Sequence, residues 1–357
     1  MSGSDTKGVP STLPPLRRYA RLEAMELARR VLSAEILDPR YGFERRVVPV
    51  EVRWDPLTGQ ASRVLPERGL MPRSDTDLEE LARETAERCP FCAARIDEQT
   101  PRFPPAVSAD GRFRRGSAVC VPNLFPYSRF SSVTVYGPEL HYLPLAAMTE
   151  DLVADNLAAQ VAFVRAAMTS DPEAHWASIN ANHMLPSGSS LFHPHTQGSV
   201  DPVPTTMQRL LAETPPERFD AYLAAERAAG ARDLGSSGRV EWLASFAPLA
   251  PCELRAFVPG VASPAQLDDV LVRELGAGIA RALNLYAEMG FESFNMAMYA
   301  APRGTAGRPL NLRLACRSNP RSHYRSDATY FERLHWEAAV DIAPEEVAER
   351  AGDRFRR

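Results

Sequence analysis

Residues 188–197 read Gly-Ser-Ser-Leu-Phe-His-Pro-His-Thr-Gln, and their reading decides the rest. The run follows a strand-like stretch, Trp176 to Asn182, and a Gly/Ser-bearing loop, Pro186 to Ser190. The chain has 7 histidines, yet His193 and His195 stand two apart here. On a strand, residues i and i+2 share a face, so both imidazoles and the Gln197 amide line one surface. A neutral imidazole, with an ordinary pKa of about 6.5, is a good nucleophile near pH 7. It forms covalent intermediates that divide one displacement into two. Gln197 donates a hydrogen bond to a phosphoryl oxygen without adding charge. The loop's backbone N–H groups and the Ser190 hydroxyl offer donors to the same anion. Attack on phosphorus uses all of these groups, although a surface histidine pair packed on Pro194 fits the same spacing.

Upstream stands Cys89-Pro90-Phe91-Cys92. Soft thiolates at this spacing suit zinc, and a structural zinc site needs two more ligands. No second CxxC exists, so His141 and one of His193 and His195 are the candidates to complete a Cys₂His₂ set. A redox pair or two unligated thiols are the other readings, but Ala93-Ala94-Arg95 is a weak helix start for redox chemistry. With 5 cysteines in all, a disulfide framework is not described, and Cys120, Cys252 and Cys316 read as buried free thiols in apolar runs. His175, His183, His323 and His335 stand alone, with hydrogen-bonded structural roles expected. Trp54, Trp176, Trp242 and Trp336 read as core or interface aromatics.

The 357 residues are 45% hydrophobic and 24% charged, which excludes wholesale disorder. A net charge of −4 offers no basic field, so a general nucleic-acid binder is excluded. No run of about 18 apolar residues suggests a membrane span, and Met1 to Pro15 lacks the pattern of a secretory signal. A cytoplasmic protein with no nucleic-acid or membrane partner is expected. The spacing predicts helices over Leu16–Leu37, Asp75–Arg88, Asp151–Met168 (capped by Thr149), Thr205–Ala212, Pro216–Gly230, Pro264–Met289 (capped by Ser263) and Pro344–Arg354. Strands are expected at Val47–Trp54, Ala61–Leu65, Ser117–Val121, Ser131–Tyr136, Trp176–Asn182, Arg239–Phe246, Glu253–Val258, Ser293–Tyr299 and Asn311–Cys316. Strands and helices do not alternate regularly, which favours an α+β protein with antiparallel sheets. A linker near 199–206 suggests a tail and helix over 1–44 and domains over 45–205 and 206–357.

CPFC at 89–92, Asn-Leu-Phe-Pro at 123–126 and the HPHTQ run at 193–197 stand in the order seen in galactose-1-phosphate uridylyltransferases. Asp55-Pro56-Leu57-Thr58-Gly59 is similar to that family's Asn-Pro-Leu-Thr-Gly, and Leu65–Arg68, Trp242–Pro259 and Arg325–Arg350 also resemble it. The chain thus resembles this family of the histidine-triad (HIT) superfamily over roughly residues 45–350. The resemblance implies two HIT-like domains with antiparallel sheets flanked by helices, in a homodimer. It implies ping-pong transfer of a nucleoside monophosphate from a nucleotide sugar to a sugar 1-phosphate or related phosphate acceptor. His195 would be the nucleophile, Gln197 would bond the phosphoryl oxygens, and Ser190 would contact the departing or entering phosphate. Arg68 would neutralise phosphate charge, Asn123 and Asn182 would line the nucleotide pocket, and Glu337 falls in the sugar-phosphate region. A structural Zn²⁺ would be held by Cys89, Cys92, His141 and His193.

The chain departs from the family's Gly-Cys-Ser-Asn-Pro at Gly188–Phe192, has Leu124 after Asn123, and lacks a second His-x-His at Leu314–Arg317. It has His335-Trp336-Glu337 where Gly-Tyr-Glu is usual. These departures keep a second activity in view, a hydrolase or phosphorylase of a nucleotide conjugate using the same His195. A zinc-stabilised binding protein without turnover ranks third.

Overall fold

The computed structural model describes residues 25–65, 74–302, 305, 307–322 and 328–356. In chain order the elements are β1 (Arg29–Asp38), β2 (Glu44–Trp54), β3 (Ala61–Val64), α1 (Leu78–Ala86), α2 (Ile96–Gln99), β4 (Phe113–Arg115), β5 (Ala118–Pro122), β6 (Phe130–Val135), α3 (Glu150–Ser170), β7 (Trp176–His183) and β8 (His195–Asp201). There follow α4 (Thr206–Glu213), α5 (Glu217–Ala229), β9 (Asp233–Ser237), β10 (Val240–Ala244), β11 (Leu254–Val258), α6 (Asp269–Glu288), β12 (Ser293–Tyr299), β13 (Leu310–Arg317), β14 (Ala338–Val340) and α7 (Pro344–Ala351). The fold is α+β, as expected.

Ten strands form one antiparallel sheet in the order β4-β5-β6-β8-β7-β12-β13-β11-β10-β9. Strands from the first half of the chain occupy one side of the β7–β12 seam and strands from the second half the other. Each half adds one long helix. α3 starts where the Thr149 hydroxyl accepts from Leu152 N–H, with Glu150 and Asp151 in its first turn. α6 starts where Asp268 accepts from Leu271 N–H. The two helices cover the same sheet face and share one apolar core with β7 and β10 to β13. Gly278 lets α6 approach the buried Trp242, since a Cβ there would fall 2.3 Å from its ring. On the opposite face α4, α5 and Leu57 cover β10 and β11, while β7, β8 and β12 keep half-buried side chains. A second, four-stranded sheet has the order β1-β2-β3-β14.

Two expected helices are corrected. Of Leu16–Leu37, residues 16–24 lie outside the described residues, and the remainder holds strand β1. Its apolar residues also alternate at period two, and the full ten-residue register with β2, closed by Gly42 at φ 66°, decides for the strand. The Pro264–Met289 helix is broken. Ser263 caps a single turn, Pro264–Gln266, before the chain extends at Leu267 and is capped anew by Asp268. Arg165 of α3 explains the break: its guanidinium donates to Ala265 O at 2.9 Å and Leu267 O at 2.6 Å, carbonyls that a continuous helix needs for itself. Trp336 is 60% exposed and is not a core aromatic, whereas Trp242 is fully buried. Cys120, Cys252 and Cys316 are buried free thiols.

Candidate active site

The open face of the sheet is polar where β8, β7 and β12 meet. Side chains largely alternate between buried and half-buried along all three strands, and the half-buried set is Trp176, Asn180, Asn182, Gln197, Ser199, Asp201, Asn295, Ala297 and Tyr299. The ladders align them in rows. Gln197 pairs with Asn180, which pairs with Ala297; Ser199 pairs with Ser178, which pairs with Tyr299. His195 heads β8 on this face. At about 4.8 Å per strand the floor spans roughly 10 Å between β8 and β12.

Two walls rise from this floor. On one side Cys89, Phe91 and Ile96 pack on Val119, Val121, Val133 and Val135, and the Phe91 ring stands 5.6 Å from the His195 ring. On the other, the Asp55–Gly59 turn sits over β11 and β13. Asp55 accepts from Arg255 at 2.8 Å, from Arg313 at 2.7 Å and from the N–H groups of Leu57 and Thr58. Arg313 also reaches Glu253 at 2.5 Å, which closes a buried network of two acids and two bases.

His195 is oriented through its Nδ1. Its Nδ1 lies 2.8 Å from the His193 carbonyl oxygen, which can only accept, so Nδ1 carries the proton and Nε2 keeps its lone pair. Burial lowers its pKa, opposed by the bond to the His193 carbonyl, so the ring is neutral at pH 7. Gln197 Nε2 stands 3.4 Å from His195 Nε2. The strand bearing both is pinned from behind. Thr196 donates to Asn156 of α3 at 2.5 Å and accepts from Gln160 at 3.0 Å, while Ser132 of β6 donates to Gln160 at 3.0 Å. Gly198 permits this approach, because a Cβ there would fall 2.4 Å from Gln160 Oε1.

Cys89, Cys92, His141 and His193 converge, with their ligand atoms all within 4.8 Å of one another. Cys89 Sγ to His193 Nδ1 is 3.6 Å, Cys92 Sγ to His141 Nδ1 is 3.3 Å, and Cys92 Sγ to His193 Nδ1 is 3.8 Å. Tetrahedral zinc with ordinary bond lengths puts S and N about 3.5 Å apart, so the cluster fits that ion. Each imidazole is oriented through its other nitrogen, His193 Nε2–H to Gly137 O at 2.9 Å and His141 Nε2–H to Thr85 Oγ1 at 3.0 Å. Burial, reinforced by Cys89, pushes the Cys92 thiol up to about 11, so ligation must displace its proton.

The other expected residues scatter. Asn182 lies on the floor. Ser190 is exposed in the loop before β8. Asn123 lies just beyond β5, where its Oδ1 accepts from Phe125 N–H in a loop that leaves Leu124, Phe125 and Tyr127 exposed. Glu337 pairs with Arg63 at 3.2 Å, at the β3–β14 edge of the smaller sheet. Arg68 and His323 lie outside the described residues. His183 is buried with its Nε2 unpartnered, stacked on Phe294 at 5.2 Å, so the hydrogen-bonded role expected of it is corrected at that atom. Burial, with His195 second, lowers its pKa to about 3. Asn180, Asn295, Ser178 and Tyr299 were not legible as site residues. Their one local signal is the alternation Ser178-x-Asn180-x-Asn182.

A protein of Archaeoglobus fulgidus with no described function is 30% identical over 332 residues, covering 91% of this chain and 97% of its own length. The chain belongs to one family with it. An ADP-glucose phosphorylase of Arabidopsis thaliana superposes with a TM-score of 0.64 at 19% identity, over 85% of this chain and 98% of that one. A uridylyltransferase superposes at 0.58 with 18% identity, over 85% and 98%. The fold is therefore that of the uridylyltransferase-like proteins, as the motif resemblance implies. No family model matches the chain. No helix among the described residues is long and apolar enough to cross a membrane.

Proposed function

We propose that this protein is a nucleotidyltransferase that carries a nucleoside monophosphate on His195. The observation behind the reading is the commitment of His195 Nδ1–H to the His193 carbonyl, which leaves the Nε2 lone pair at the head of a polar floor. In the first half-reaction Nε2 attacks the α-phosphorus of a nucleotide sugar. An N–P bond forms, the P–O bond to the sugar phosphate breaks, and the proton on Nδ1 stays where it is. In the second half-reaction an oxygen of a sugar 1-phosphate, or of a related phosphate, takes the phosphorus back and frees the imidazole. Gln197 donates to the phosphoryl oxygens, and Ser190 meets the departing or entering phosphate. Cys89, Cys92, His141 and His193 would hold a structural zinc, which cross-links the Phe91 wall to the segment that aims His195. Each half gives the ten-stranded sheet five strands and adds one long helix, which supports the division into two HIT-like domains, 45–205 and 206–357. The β1–β2 ribbon supports a homodimer: β1 is exposed over nearly its whole length and shows Val31, Leu32, Ile36 and Leu37, a surface that a second copy would cover.

The test is intact-protein mass at neutral to mildly basic pH after incubation with UDP-, ADP-, GDP- or TDP-glucose and no acceptor, with released sugar phosphate followed in parallel. A nucleoside-monophosphate adduct is expected in the wild type and not in His195→Ala. An adduct that survives His195→Ala, or neither adduct nor release with any donor, sinks the reading. Discharge of the adduct by inorganic phosphate or by water, but not by a sugar 1-phosphate, makes the enzyme a phosphorylase or a hydrolase instead.

A further inference from the structure

Asn295 of β12 lies 113 residues beyond Asn182, yet the β7–β12 register sets the two side by side. The Asn295 amide nitrogen donates to Asn182 Oδ1 at 2.7 Å and to Ser187 O at 2.9 Å. A main-chain carbonyl can only accept, so the Asn295 NH₂ is fixed in place. The Asn182 amide is then fixed in turn: its oxygen is taken by Asn295, which leaves its NH₂ as the end free to donate to a ligand. The β7–β8 ladder ends at Ala181 opposite Thr196, so Asn182 stands one step on, beside His195 and on the same face. The Ser187 carbonyl belongs to the loop that carries Ser190.

We propose that Asn295 is a positioning residue that presents Asn182 as a hydrogen-bond donor to the phosphoryl group attacked by His195. It ties β7, the strand beside the nucleophile's in the first half of the chain, to a strand of the second half. The inference rests on the reading of His195 as nucleophile. As the N–P bond forms and the P–O bond to the sugar phosphate breaks, a donor already aimed at the phosphoryl oxygens needs no reorganisation.

The experiment measures single-turnover adduct formation from ADP-glucose and UDP-glucose in wild type, Asn182→Ala, Asn295→Ala, Asn295→Ser and the Asn182→Ala/Asn295→Ala double variant. Thermal melts accompany each. Loss of one such donor typically costs about 10²–10³ in rate, and misaiming it costs a part of that. Asn295→Ala is expected to slow adduct formation at least tenfold, mainly in kcat. Asn295→Ser, which keeps one donor, should fall between it and wild type. The double variant should be no slower than Asn182→Ala alone, because Asn295 acts through Asn182. A wild-type rate in Asn295→Ala overturns the proposal, as does a double variant slowed by the product of the single effects. If Asn295→Ala fails to fold, the ordering of Asn295→Ser against wild type decides. If wild type forms no adduct, the His195 reading fails and this inference falls with it; an adduct in wild type that Asn295→Ala forms equally fast sinks this inference alone.

Discussion

Asp55 is where removal of one side chain should cost most. Its carboxylate is buried and accepts from Arg255, Arg313 and two backbone N–H groups. Arg255 is fully buried, and among the described residues Asp55 is its one ion-pair partner and its Nε and Nη2 have no hydrogen-bond partner. Asp55→Ala therefore leaves a guanidinium buried beside the Tyr222 and Phe257 rings with no carboxylate opposite it. Breaking a buried pair in this way costs about 3–5 kcal/mol, a large part of the ~5–15 kcal/mol that holds a typical domain. Urea unfolding followed by circular dichroism should show the midpoint fall with the slope unchanged. Asp55→Ala/Arg255→Met removes the stranded charge as well and should recover part of the loss. The pH dependence has a definite sign. Burial alone would raise the Asp55 pKa, but Arg255 and Arg313 outweigh it and hold the carboxyl well below the usual range. A depressed folded pKa gives stability that is complete above the unfolded value, about 3.9, and is lost as pH falls through the folded value. The gap between wild type and Asp55→Ala should thus be constant from about pH 5 to 7 and close only in strong acid. A loss under about 1 kcal/mol, or a double variant less stable than Asp55→Ala, would refute the reasoning.

The Cys/His cluster should bind about one zinc per chain by elemental analysis, and Cys92→Ser should lose it. Thr85→Val removes the oxygen that orients His141 and should weaken zinc by about 10–100-fold in competition with a chelator, with adduct formation restored by excess metal; an unchanged affinity would separate Thr85 from the site. Light scattering should show a dimer that Leu32→Glu/Ile36→Glu converts to monomer, and a monomeric wild type would remove the role given to the β1–β2 ribbon.

Much of the site was legible because its chemistry is local in sequence. Two imidazoles at spacing two, a CxxC and a Gly/Ser loop identify themselves by residue type, and four separated side chains do meet around one point. Caps were equally local: Thr149 predicts the start of α3 because a side-chain oxygen and an N–H three residues on are close in any helix. What depends on register was not legible. The apolar residues of 29–38 satisfy periods 3.6 and 2 alike, and only pairing with β2 chose between them. The helix expected from Pro264 is interrupted by an arginine a hundred residues earlier in the chain. Asn182 could be singled out from the family resemblance, but its neighbour across the β7–β12 seam, Asn295, carries no such signal. Sequence alone determined which functional groups this protein has, because side-chain chemistry travels with the residue. Tertiary structure decided which atoms of those groups face one another, because strand register and helix packing are settled between segments far apart in the chain.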